Sequence, residues 1–159
     1  MFSNLLAFHS LFRWVVLMAF LVVLILFVYK YFTKETFSIK NYRLLQITCW
    51  ILNVQLVIGI LLFSKSQLVF LFWDNFQETV KMRQPRFFGL EHPSMMLLGI
   101  ILFNYFTFKV RNKINTTKAT TYFLKRLIII LIIILSSIPW SFSPLTNRPN
   151  FRDLYLTYL

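Results

Sequence analysis

Two histidines occur in this 159-residue chain, His9 and His92, and each stands at the opening of a long apolar stretch. Most of the other polar chemistry gathers around them. Arg13 follows His9 by four residues and so shares its helical face. Glu91 immediately precedes His92, with Arg83 and Arg86 a little upstream. An imidazole can carry a proton or offer a nitrogen lone pair to a metal. A haem b held between helices needs inward-facing axial ligands, slim residues beside the porphyrin and cations for its propionates. His9 and His92 could ligate the haem iron, Gly89 and Gly99 could make room, and Arg13, Arg83 or Arg86 could meet the propionates. Gly89, His92, Met96 and Gly99 are spaced 3, 4 and 3, which sets them on one helical stripe.

The same residues admit a plainer use. Histidines at span ends commonly hydrogen-bond to a neighbour. Arg13 and Glu91 could form an inter-helix ion pair that fixes register, with Trp14 and Trp140 completing a structural polar cluster. The glycines could be packing points. Met18, Met95 and Met96 offer soft thioethers, but methionine in an apolar helix usually fills core space. Gln46, Trp50 and Asn53 share a face of the second span, where inter-helix hydrogen bonding is the simplest use, and Asn104 fits the same description.

No catalytic residue is assigned. The chain has no Gly-rich phosphate loop, no His-Glu-x-x-His, no nucleophile elbow and no dense acidic cluster. Cys49 is the single cysteine, which excludes a disulfide framework and a Cys-x-x-Cys-His haem attachment.

The elements that must position these residues are set by composition. Hydrophobic residues make up 58% and charged residues 14%, against about 25% charged in a soluble domain. Such a chain cannot hide its apolar surface in water, so its net charge of +12 speaks for membrane topology rather than nucleic-acid binding. Four stretches reach the roughly 20 apolar residues a spanning helix needs, at about 8–29, 44–63, 87–108 and 120–138. The expectation is a single transmembrane domain, an all-α four-helix bundle in the lipid bilayer. The first span, with no small-residue cleavage site after it, is an uncleaved helix. Between the second and third spans, Leu68 to Trp73 is too short to cross and reads as a short interfacial helix, where the aromatic tail (Phe142, Phe151, Tyr155, Tyr158) could also lie.

Ten cations and one acid, a charge of +9, lie in the loops after the first and third spans. The other side carries seven cations and four acids, +3. The positive-inside rule then puts both termini outside, periplasmic for a bacterial inner membrane, and both histidines near that outer surface. Asn115-Thr116-Thr117 falls in an inner loop, so its match to a glycosylation sequon is chance.

Three ordered motifs carry a resemblance: His9-Ser10-Leu11-Phe12-Arg13-Trp14, Arg86-Phe87-Phe88-Gly89-Leu90-Glu91-His92, and Ile138-Pro139-Trp140-Ser141-Phe142. Together they resemble a bacterial family of small four-span membrane proteins labelled cytochrome b-like, over essentially the whole chain. The resemblance implies haem b on His9 and His92, and electron exchange with a quinone or another membrane subunit. Relatives often have a further histidine about three turns into the third span, where this chain has Asn104. The runner-up is a non-catalytic accessory subunit of a larger membrane complex, with His9, Arg13, Glu91 and His92 as a polar clamp. Either way the chain is an electron-transfer or accessory subunit rather than a stand-alone enzyme.

Overall fold

The computed structural model describes residues 2–142 and Thr146. Phe151, Tyr155, Tyr158, Arg148 and Arg152 lie outside the described residues. Four helices are long and apolar enough to cross a bilayer, which makes this a multi-pass, all-α membrane protein. Helix α1 runs Phe2–Thr33 and α2 Ile39–Phe63. Two short helices follow, α3 (Gln67–Asp74) and α4 (Phe76–Thr79). The third span, Arg83–Lys113, is composite: α5 (Arg83–Arg86), a π-helical turn (Phe87–Glu91), α6 (His92–Val110) and a 3-10 turn (Arg111–Lys113). Helix α7 is Thr117–Ser137.

The helices outrun the apolar spans because charge ends a hydrophobic run but does not end a helix. Caps do that. Asn41 Oδ1 accepts from the Ser38 N–H at 2.9 Å and from its hydroxyl at 2.8 Å, starting α2. Thr116 Oγ1 accepts from the Ala119 N–H at 3.3 Å, starting α7. At 32 residues, α1 is about 48 Å long, well beyond the roughly 30 Å hydrocarbon layer.

The four long helices form an up-down ring. Each packs on its neighbour in the chain, and α7 closes against α1. Their outer faces are apolar and exposed, as at Val15, Met18, Ile25, Trp50, Val57, Ile101 and Ile132, the arrangement a lipid solvent requires. The half of the ring toward the end of α1 and the start of α7 is filled by aromatics. Phe20 meets Phe103 at 5.2 Å, Phe27 meets Phe123 at 4.9 Å, and Phe103 meets Phe123 at 5.7 Å between ring centres.

Asn53 and Asn104 face each other between α2 and α6. The Asn104 amide donates to Asn53 Oδ1 at 3.1 Å, and Asn53 Nδ2 donates back at 3.4 Å. Gln46 and Trp50 share that face of α2 but do not join them and are exposed. Replacing Asn104 by Ala strands the Asn53 amide among apolar groups. The expected cost is about 0.5–2 kcal/mol, read as a lower thermal midpoint in detergent.

The loops after α1 and before α7 are stitched together: the Asn115 N–H donates to the Phe37 carbonyl at 2.7 Å, and the Phe37 N–H to the Thr116 carbonyl at 3.3 Å. Beside them the Lys30 ammonium, near the end of α1, donates to Glu35 Oε2 at 2.9 Å and to the Thr36 carbonyl at 3.1 Å. That hydrogen bond, with the charge of Lys30, holds the Glu35 carboxyl below its ordinary range. A depressed carboxyl stabilises the fold fully above its unfolded pKa and loses that contribution as pH falls through the depressed value. Glu35→Gln should therefore lower the thermal midpoint slightly at pH 7 and progressively less as pH falls through the depressed value, with high salt shrinking the difference.

Candidate functional site

The half of the ring at the start of α1 and the end of α7 is not filled. A cavity of about 470 Å³ lies there, walled by all four long helices and roofed by Val69 and Trp73 of α3. The volume falls within the roughly 300–1,000 Å³ of small-molecule and cofactor sites. Its polar lining is sparse: His9, Ser10, Arg13, Gln55, Ser66, His92 and Ser94 interrupt a mostly apolar wall.

His9 and His92 meet at this cavity, their ring centres 6.5 Å apart and their planes at 78°. The placement of His92 starts at the end of α7. Pro139 has no N–H to continue the helix, so the last carbonyls need other donors. The Trp140 indole N–H takes the Leu135 carbonyl at 2.9 Å, and His92 Nδ1 takes that of Ser137 at 2.7 Å. With its Nδ1 proton committed to a carbonyl, His92 is left with Nε2 as a bare lone pair.

His9 is held more loosely. The Gln55 amide donates to the His9 carbonyl at 3.1 Å and approaches His9 Nε2 at 3.4 Å. His9 Nδ1 and Gln55 Oε1 are buried without a hydrogen-bond partner among the described residues. Gly59 faces the His9 ring, which a Cβ there would meet at 3.4 Å.

Arg13 is buried and lines the cavity as the i,i+4 spacing from His9 predicts. Its guanidinium lies 5.3 Å from the Trp14 ring centre and 5.9 Å from that of Trp140, and the two indoles meet edge-on at 6.2 Å. Arg13, Trp14 and Trp140 thus form the expected cluster. Glu91 does not belong to it. The expected Arg13–Glu91 pair is replaced by Arg86 Nε donating to Glu91 Oε1 at 2.7 Å, with Arg86 Nη1 also donating to the Val80 carbonyl.

The cause is Pro93. It has no N–H for the Gly89 carbonyl four residues back, and the His92 N–H reaches five residues back to Phe87 instead. In an α-helix, residues five apart point about 140° away from each other. The wide turn brings Arg86 and Glu91 to one face. Arg86 therefore stands off the cavity wall, already ion-paired.

The glycines also divide. Gly89 lines the cavity, but its missing side chain admits Phe72 of α3: a Cβ would lie 2.5 to 2.8 Å from three Phe72 carbons. Gly99 lies against α7, where a Cβ would come within 2.9 Å of Ile134, so it serves helix approach rather than the cavity. Met96 lines the cavity, whereas Met18 points outward. Sequence reasoning missed Gln55 and Ser137. Gln55 was visible as an amide one turn before Gly59 in an otherwise apolar run. Ser137 had no side-chain signal, since it acts through its carbonyl.

The donor set fits a haem better than a bare ion. Among the described residues no group of three or more His, Cys, Asp or Glu side chains is assembled, whereas a structural metal ion needs about four protein ligands. Two imidazoles suffice where a porphyrin brings its own four nitrogens. Compared with models of protein families, with curated proteins and with solved structures, the chain matches none of them.

Proposed function

We propose that this chain is a cytochrome b-like redox subunit that holds haem b between His9 and His92 and takes part in electron transfer near the outer face of a bacterial inner membrane. The observation that carries this reading is the pair of imidazoles, 6.5 Å apart, on the walls of one cofactor-sized cavity. Haem b, when bound, supplies reversible one-electron chemistry. The chain's own residues do the rest. The Ser137 carbonyl fixes the tautomer and orientation of His92. Gln55 steadies His9 from α2. Arg13 brings a buried positive charge to the cavity wall, suited to a propionate. The aromatic plug and the α3 roof keep water from the apolar lining. A quinone or a neighbouring membrane subunit is the proposed electron partner, and the loop charges of +9 and +3 support periplasmic termini.

A second reading is an accessory subunit in which the same groups are a structural clamp. It is favoured by the His92–Ser137 and Asn53–Asn104 bonds, which tie helices together without any ligand. An absorption spectrum of the detergent-purified protein, as isolated and after dithionite, separates the two. Sharp reduced α and β bands at near one haem per chain support the redox subunit. A colourless protein from haem-sufficient cells rejects it in favour of the clamp.

A further inference from the structure

The cavity beside the histidines is not closed on every side. Helices α2 and α6 are antiparallel neighbours that touch at the Asn53–Asn104 pair. Ile60 lies seven residues after Asn53, and Leu97 seven residues before Asn104, so each falls on the stripe of its helix that carries the asparagine. If the helices kept the spacing they have at the asparagines, these two side chains would pack on each other. They do not. Ile60 is 56% exposed and Leu97 45%, and both line the cavity. Leu90, seven residues before Leu97, is exposed and lines it too. On the opposite flank of α2 the wall is shut, with Ile58 and Leu62 each 8% exposed. The two helices are therefore parted beyond the asparagine pair, and Trp73 of α3 stands exposed over the gap.

The gap faces hydrocarbon. The uncharged stretch of α2, 44–63, is about 30 Å long, the thickness of the hydrocarbon layer. Ile60 falls within it, on a helix whose lipid-facing side is apolar at Val54, Val57 and Leu61. A space lined in this way favours hydrocarbon over water. An apolar cavity stays dry, and methylene groups that enter it give its walls dispersion contacts. Phospholipid is the solvent at this gap, so its acyl chains meet the opening more often than any other membrane molecule.

We propose that the cavity opens sideways into the bilayer through a window between α2 and α6, and that in the haem-free protein an acyl chain of a membrane phospholipid enters through it. The acyl chain passes between Ile60 and Leu97 and lies against Leu56 and Met96, which line the cavity and pack on the core. The inference stands apart from the haem reading, because it rests on the parted helices and not on the imidazoles.

Photolabelling tests it, on full-length protein from haem-deficient cells reconstituted in phosphatidylcholine vesicles that carry a diazirine in one acyl chain. Peptide mass spectrometry should find adducts at Leu56 and Met96 as well as at Val57 and Ile101 on the lipid face. Ile60→Trp with Leu97→Trp narrows the window and should lower labelling of Leu56 and Met96 several-fold, leaving that of Val57 and Ile101 unchanged. Ile60→Ala with Leu97→Ala should raise it. Misfolding cannot move the cavity signal in opposite directions while the lipid-face signal holds. Absence of adducts at Leu56 and Met96, or adducts that neither pair of substitutions alters, overturns the proposal.

Discussion

A His92→Ala variant from haem-sufficient cells is expected to lose the reduced α and β bands altogether, and His9→Ala, His92→Ala to lose every trace of bound haem. Loss alone is ambiguous, since removing the His92–Ser137 bond also loosens α6 from α7. Two further variants separate ligation from folding. In His92→Gly the missing ligand can be replaced by added imidazole, which should restore the spectrum if His92 binds iron and should do nothing if it only ties helices. Pro139→Ala leaves His92 in place but returns an N–H to the end of α7. The helix can then continue, and its own backbone competes for the Ser137 carbonyl. Loss of such an orienting bond typically weakens metal binding about 10–100-fold, measurable by haem titration. Haem retained at wild-type level in the double histidine variant would remove both ligands from the proposal.

The second large effect is expected at Gly89. Adding one methyl there drives it into Cδ1, Cγ and Cβ of Phe72, at 2.5, 2.6 and 2.8 Å. Rotation of the ring moves the first two away but not Cβ, which is tied to the backbone of α3. Phe72 is fully buried and the Thr79 hydroxyl holds its carbonyl at 3.0 Å, so the helix must shift as a unit. Gly89→Ala should cost about 1–3 kcal/mol, seen as a lower thermal midpoint and as faster proteolysis between Ser66 and Met82. Phe72→Ala alone should also destabilise. The double variant should be less damaged than the sum of the two, because Phe72→Ala takes Cγ and Cδ1 out of the clash and leaves only Cβ. Strict additivity would mean that α3 does not seat on Gly89. Because α3 roofs the cavity, Gly89→Ala should also raise the rate at which a bound ligand escapes.

The all-α, four-span architecture was legible in the sequence because lipid imposes a long apolar run on each crossing helix. The run does not encode where each helix stops. Lys30 and Arg43 are charged yet helical, and Ser38 and Thr116 set the starts of α2 and α7 through caps. The meeting of His9 and His92 was also legible, since odd-numbered spans run in the same direction and both histidines open such a span. The partner of Glu91 was not. Helical spacing favoured Arg13 as part of one polar cluster, but the π-helical turn ahead of Pro93 re-aimed Glu91 toward Arg86. Ser137 and Leu135 were hidden for a different reason, because backbone carbonyls leave no mark in residue type. Pro139 and Trp140 are the visible signs of their release.

The wide turn at Phe87–Glu91 also makes chain length a structural variable in the third span. It holds one residue more than an α-helix would use, so the segment before it keeps its bearing although the count of residues is off by one. Deleting Leu90 would let the turn close into a regular α path, with Arg86 and Glu91 then four residues apart and still on one face. Deleting Leu98 from the regular part of α6 finds no such slack and would turn Asn104 by about 100° away from Asn53 while His92 keeps Ser137. The third span tolerates a change of length at its wide turn and not beyond it.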